Sequence, residues 1–186
     1  MTNARKLNSH DVEIVDYNPQ WTEIFSAERD VLLAITKEHF IALEHVGSTA
    51  IPGQRAKPII DMMAAVHSLN ELDTFLPELS NYGYQLIETD MPNRHLLRRQ
   101  VGSSQTFHLH IVELSTWDEC NERLMRDYLL KNPQEVKAYG ELKDELANTY
   151  AEDSLTYTKA KTRFIQSVVD KARDELGLPR IDVWED

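Results

Sequence analysis

The sequence predicts an α+β fold: a mixed sheet of five or six strands flanked by helices, followed by a helical C-terminal third. Three observations carry this. Short strand-like runs alternate with amphipathic stretches as far as residue 114. One run, 58–66 (PIIDMMAAV), is almost continuously apolar, as a strand covered on both faces would be. From Ser115 onward only helical periodicity remains. The chain of 186 residues therefore reads as one domain, with a core of about 12–114 and a helical extension of about 115–178.

The elements follow in order. Residues 12–17 (VEIVDY) alternate like a strand, and Asn18-Pro19 then opens a helix as an N-cap followed by proline at the first helical position. Trp21, Ile24, Phe25, Val31, Leu32 and Ile35 give that helix its apolar stripe. Residues 41–46 form a short strand, and a loop from Gly47 to Lys57 leads into the apolar strand 58–66. Ser68-x-x-Glu71 is a capping box for the next helix. A strand at 84–88 follows, and then 95–101 and 106–113 read as a hairpin around Gly102-Ser103-Ser104. The C-terminal third predicts helices over 117–130, from Asn132-Pro133 onward, and over 157–176, the last stopping at Gly177.

Charge narrows the function classes. Asp plus Glu exceeds Lys plus Arg by 31 to 20, a net charge of −11. Such an excess opposes long phosphate backbones, which are held by many Lys and Arg side chains, so nucleic acid is not the expected partner. A small phosphorylated ligand needs only a local pocket of donors. A single cysteine, Cys120, permits no intrachain disulfide, and no apolar run reaches membrane-spanning length. The N-terminal MTNARKLNSH lacks the apolar core of a signal peptide, so a cytoplasmic protein is the expectation.

Residues 45–61 (HVGSTAIPGQRAKPIID) concentrate the chemistry. A Gly-Ser pair directly after a strand lets backbone N–H groups and a hydroxyl approach an oxyanion. Ser48 and Thr49 supply hydroxyls, and Arg55 and Lys57 supply positive charge on the far side of the loop. Asp61 interrupts an apolar strand, and a buried carboxylate is costly unless paired or bound to a metal. Period-two geometry places His108 and His110 on one strand face, as metal ligands or phosphate contacts, with Phe107, Leu109 and Ile111 on the other. Glu113 has the opposite parity and joins the histidines only where the strand bends. Arg94 and Arg98 share a face and are candidate anion clamps, and Tyr157 and Lys161 lie four apart on one helix face.

Four blocks in order, HVGSTAIPGQRAKPIIDMM, FHLHIVE, RDYLLKNPQEVKAYGELKDEL and TYTKAKTRFI, resemble the GrpB family, also called UPF0157, from about Val12 to Val169. The family is assigned to the nucleotidyltransferase superfamily, and some members are fused to dephospho-CoA kinase. The resemblance implies a nucleotidyltransferase-like sheet and a Gly-Ser pair holding a nucleotide triphosphate. It further implies two strand carboxylates, one residue apart, binding two Mg²⁺ ions for attack on the α-phosphate. Gly47, Ser48 and Asp61 match, but position 63 is Met63, and a thioether is a poor ligand for Mg²⁺. The expected function is therefore binding of a nucleotide or small phosphorylated ligand with a divalent metal, and nucleotidyl transfer to a small acceptor. A non-catalytic ligand-binding or protein-interaction module is the alternative. Candidate catalytic residues are Asp61, His108 and His110; phosphate contacts are Gly47, Ser48, Thr49, Lys57, Arg98 and Lys161; metal ligands are Asp61, His108, His110 and Glu113.

Overall fold

The computed structural model describes residues 13–91, 93–102, 105–151 and 153–183, within which five strands form one mixed sheet. The chain runs through helix α1 (Gln20–Thr36), strand β1 (Ala42–Val46), a 3₁₀ turn (Ser48–Ala50), strand β2 (Ile59–Val66) and helix α2 (Leu72–Asn81). Strands β3 (Gln85–Ile87), β4 (His95–Val101) and β5 (Gln105–Glu113) complete the sheet. A second 3₁₀ stretch (Leu114–Glu119) leads to helices α3 (Asn121–Lys131), α4 (Pro133–Thr149), α5 (Ser154–Ala160) and α6 (Thr162–Leu176). The N-terminal decapeptide and the turn residues Ser103 and Ser104 lie outside the described residues.

Strand order is β1-β2-β5-β4-β3, with β2 and β5 parallel and every other neighbouring pair antiparallel. The middle strand is therefore β5, which carries the two histidines, and beside it runs β2, which carries Asp61. Alternation divides their side chains cleanly. Ile60, Met62, Ala64, Phe107, Leu109 and Ile111 turn to one face and pack with Trp21, Phe25, Leu32, Phe75 and Leu79 from α1 and α2. Met63, Ala65 and Val112 turn to the other, against Val46, Trp117 and Cys120.

Local signals explain most boundaries. Asn18 Oδ1 accepts from the Gln20 N–H at 3.0 Å, so the cap acts one residue ahead of the helix as read from Asn18-Pro19. The Ser68 hydroxyl accepts from the Asn70 N–H at 3.3 Å, while the Glu71 carboxylate leaves its expected capping role and lies 3.3 Å from His39 Nδ1. Residues 12–17 do not add a sixth strand. Val12 lies outside the described residues, and Val15 makes one isolated bridge to Ala56. Two predicted helices are divided. The first takes a 3₁₀ start and an extended Cys120 before α3, and the last breaks at Lys161 between α5 and α6.

A buried charge ties the α1 layer to the sheet. Glu28 sits on the inward stripe of α1, 5% exposed, and both its oxygens accept from Arg99 Nη1, at 3.0 and 2.8 Å. Tyr84 donates to the same carboxylate at 2.7 Å and Tyr82 at 3.2 Å, so the charge is both paired and solvated by protein donors. Among the described residues no helix is long and apolar enough to cross a membrane. Arg99→Ala, which strands Glu28, is expected to lower unfolding free energy by about 3–5 kcal/mol. The double variant Glu28→Leu/Arg99→Met is expected to lose less, as read from the midpoints of denaturant unfolding.

Candidate functional site

The site is built where β1 ends, at Gly47. This residue has φ 71° and ψ −173°, a backbone region essentially restricted to glycine. It also lies directly on Asp61: a Cβ added at Gly47 would stand 2.6 Å from Asp61 Oδ2 and 3.0 Å from Asp61 Cβ. The tight turn thus brings the Gly-Ser loop and the strand carboxylate into contact. On the other side of Asp61, the parallel register sets His108 opposite it, and His108 Nδ1 lies 3.0 Å from Asp61 Oδ1. Burial works against ionisation of Asp61. The His108 hydrogen bond, with the charges of His108, His110 and His45, outweighs that and holds the carboxyl below its usual range.

A cleft of about 300 Å³ opens in front of this pair, lined by Gly47, Ser48, Asp61, Tyr139 and Lys161 among others. Its cationic end comes largely from the helical third. Lys161, in the break between α5 and α6, holds its ammonium 4.4 Å from the centre of the Tyr157 ring, and Lys57 lies 4.7 Å from the same ring. Behind Ser48 stands Lys143, 2% exposed, which donates to Ser48 Oγ at 3.1 Å and to the Arg55 carbonyl. With the Gln54 amide turned so that its nitrogen donates to Val136 O, its oxygen accepts from Lys143 at 3.2 Å. Burial, then the charge of Lys161, push Lys143 down to about 7 against the pull of Asp144. Burial and the charge of Lys57 push Lys161 down to about 8, opposed by Asp61, and burial lowers Lys57. Of these three lysines, Lys161 lines the cleft itself, while Lys143 and Lys57 stand behind its wall or beside Tyr157.

Most of the remaining sequence candidates lie outside the cleft lining. Thr49 is 1% exposed and faces inward, its hydroxyl donating to Ile59 O at 2.9 Å, with His45 Nε2 2.9 Å away. Burial is the main cause that lowers His45 to about 4. Glu113 turns to the α2 face, where it accepts from the Leu69 N–H at 3.2 Å, so the strand does not bend to bring it to the histidines. His110 shares the face of His108 but is influenced by Glu122 and Arg94, and burial lowers its pKa. Arg94 does line the cleft, buried and paired with Glu122, which lines it too. Arg98 sits opposite His108 in register and reaches Gln100 at 3.3 Å, outside the residues that line the cleft. Arg55 pairs with Asp16 and Asp144.

The donor set does not fit a two-Mg²⁺ centre. Met63 is fully buried where the second carboxylate would stand. Glu44, opposite it in register, is bound by Arg123 at 3.1 Å and Arg126 at 2.7 Å. Among the described residues no three His, Cys, Asp or Glu side chains form a metal-holding group. Sequence reading missed Lys143. Its signal was a lysine in the stripe Tyr139-Lys143-Ala147, a four-residue spacing whose other members are buried.

Comparison with known proteins places these features. The chain is 33% identical over 180 residues to the glutamate-rich protein GrpB of Alkalihalophilus pseudofirmus, covering 89% of this chain and 98% of that one. It is 32% identical to the UPF0157 protein YqkA of Bacillus subtilis over 87% of this chain, and spans 47% of that longer protein. The crystal structure of conserved protein GrpB from Enterococcus faecalis superposes with a TM-score of 0.81 at 31% identity, covering 89% of this chain and 99% of that one. At the level of fold alone, terminal uridylyl transferase 4 of Trypanosoma brucei, solved with bound CTP, aligns with a TM-score of 0.52 at 18% identity, over 91% of this chain and 56% of that one. The GrpB protein family model matches residues 11–171, and the chain belongs to the GrpB family, built on a nucleotidyltransferase-type fold.

Proposed function

We propose that the cleft binds a small phosphorylated ligand, of which a nucleotide is the leading candidate, with the phosphate held at the cationic end. One observation carries the reading: Lys161 lines the cleft with Ser48, and Lys143, bonded to Ser48, and Lys57 stand near enough to Lys161 for mutual repulsion. An anion relieves that repulsion, and the Gly47-Ser48 turn offers a hydroxyl beside it. Lys143 is closed to a ligand and acts by holding Ser48. Apolar side chains such as Met91, Met125 and Ile165 line the rest of the cleft and suit a flat or apolar ligand body.

Nucleotidyl transfer is the second reading, favoured by the fold. Met63 and the Asp61–His108 pair weigh against its two-metal form, since one carboxylate oxygen is already engaged and the second carboxylate is missing. Binding without two-metal transfer therefore ranks first.

Calorimetric titration with tripolyphosphate and with the four nucleoside triphosphates tests the proposal. Micromolar to low-millimolar binding is expected, weakened about tenfold or more by Lys161→Ala, the scale of a lost charged hydrogen bond. Absence of heat and of thermal stabilisation at millimolar concentrations would sink it. Affinity should hold below about pH 7 and fall as pH rises through about 8, where Lys161 loses its proton. The ligand-free protein should behave in the opposite sense. The unfolded chain binds more protons than the folded one between the depressed and normal lysine pKa values, so stability rises with pH from about 7 towards 10. Lys143→Met should flatten that rise. Gly47→Ala should cost about 2 kcal/mol and abolish ligand-induced stabilisation, measured by thermal shift.

A further inference from the structure

The lysines at the cationic end differ in access. Lys143 has the lower pKa, about 7, but at 2% exposure it is closed off behind Ser48. Lys57 rests against Tyr157 and does not line the cleft. Lys161 does line it, together with Gly47, Ser48 and Asp61, and its ammonium lies 4.4 Å from the centre of the Tyr157 ring. A partly desolvated lysine next to a second cation has the two features that make an amine nucleophilic near neutral pH. It also stands beside the groups assigned to phosphate.

We propose that Lys161 is an acylation site, modified in place by small activated acyl donors whose leaving group is a phosphate. The proposal rests on reading the cleft as a phosphate site, and adds what that site does to an electrophile held in it. The donor's phosphate lies against the Gly47-Ser48 turn, which brings its acyl carbon to Lys161 Nζ in the same cleft and converts a bimolecular encounter into a positioned one. The neutral amine attacks the acyl carbon, and the bond from that carbon to the phosphate oxygen breaks. Phosphate leaves with the electron pair, the nitrogen gives up one proton to water, and an amide remains. No oxidant or reductant takes part. The product has lost the positive charge of Lys161, so the reaction removes one of the cations that hold the anion. The site is closed by the class of compound it captures.

The test uses the intact protein with acetyl phosphate at about pH 7.5, and follows acetyl-lysine formation position by position by mass spectrometry. Lys161 is expected to react on the order of tenfold faster than Lys137, which is 79% exposed and serves as the ordinary surface lysine. Excess tripolyphosphate should remove that preference, and an aryl acetate, which carries no phosphate to position it, should show markedly less of it than acetyl phosphate does. The acetylated protein should bind tripolyphosphate about tenfold more weakly than the untreated one. If tripolyphosphate binds but Lys161 reacts no faster than Lys137, the acylation proposal is wrong and the phosphate site stands. A preference that survives excess tripolyphosphate also overturns it, because the phosphate would not be directing the reaction. If tripolyphosphate does not bind at all, the reading of the cleft fails, and this proposal with it.

Discussion

The contact between Gly47 and Asp61 is the constraint around which the molecule is arranged. The turn that leaves the edge strand β1 and the polar residue of β2 meet with no room for even a methyl group between them. That closeness fixes where the Ser48 turn begins and which way the Asp61 carboxylate faces. Asp61 in turn engages His108 across the parallel pairing of β2 with β5. The helices of the C-terminal third then close over the turn from outside, with Lys143 and Arg126 bonded to Ser48 and to the His45 carbonyl. A different residue at 47 would press on Asp61 first, since its Cβ would stand 2.6 Å from Asp61 Oδ2.

Charge is handled differently on the two faces of the sheet. On the α1 and α2 side, Glu28 and Arg99 neutralise each other and are surrounded by tyrosine hydroxyls, so the face is electrically finished. On the site side, Glu44 is likewise consumed by Arg123 and Arg126. For Lys143 and Lys161 beyond it the balance differs: Asp144 and Asp61 oppose the depression of their pKa values but do not cancel it. The imbalance is local, inside a chain of net charge −11, which argues for a function of the cleft over a general property of the surface.

Much of this was legible in the sequence. Strand β4 and the opening of α4 at Asn132-Pro133 fall where alternation and proline placement put them, because those signals are local. The parity of His108 and His110 was readable for the same reason. What escaped were features that depend on distant partners. Residues 12–17 alternate like a strand, yet the segment beside them is a loop, so one bridge forms and no ladder. Thr49 and Glu113 carry the right chemistry, and only the tertiary fold shows that other groups have claimed them. Lys143 and Glu28 are charged residues on otherwise buried helical stripes, a pattern that averages hide and that a position-by-position reading of each stripe would reveal.

The bond from Lys143 to Ser48 spans 95 residues of chain. The hydroxyl that faces the cleft is therefore positioned by a helix that leaves the ribosome long after the turn itself has been made. Closing so large a loop is entropically slow, and its reward comes only when the helical third packs. During synthesis the sheet can pair while the turn still lacks its rear support, so completion of the site reports that the whole chain has arrived. A truncated or stalled product would carry Gly47, Ser48 and Asp61 in sequence and still lack the pocket.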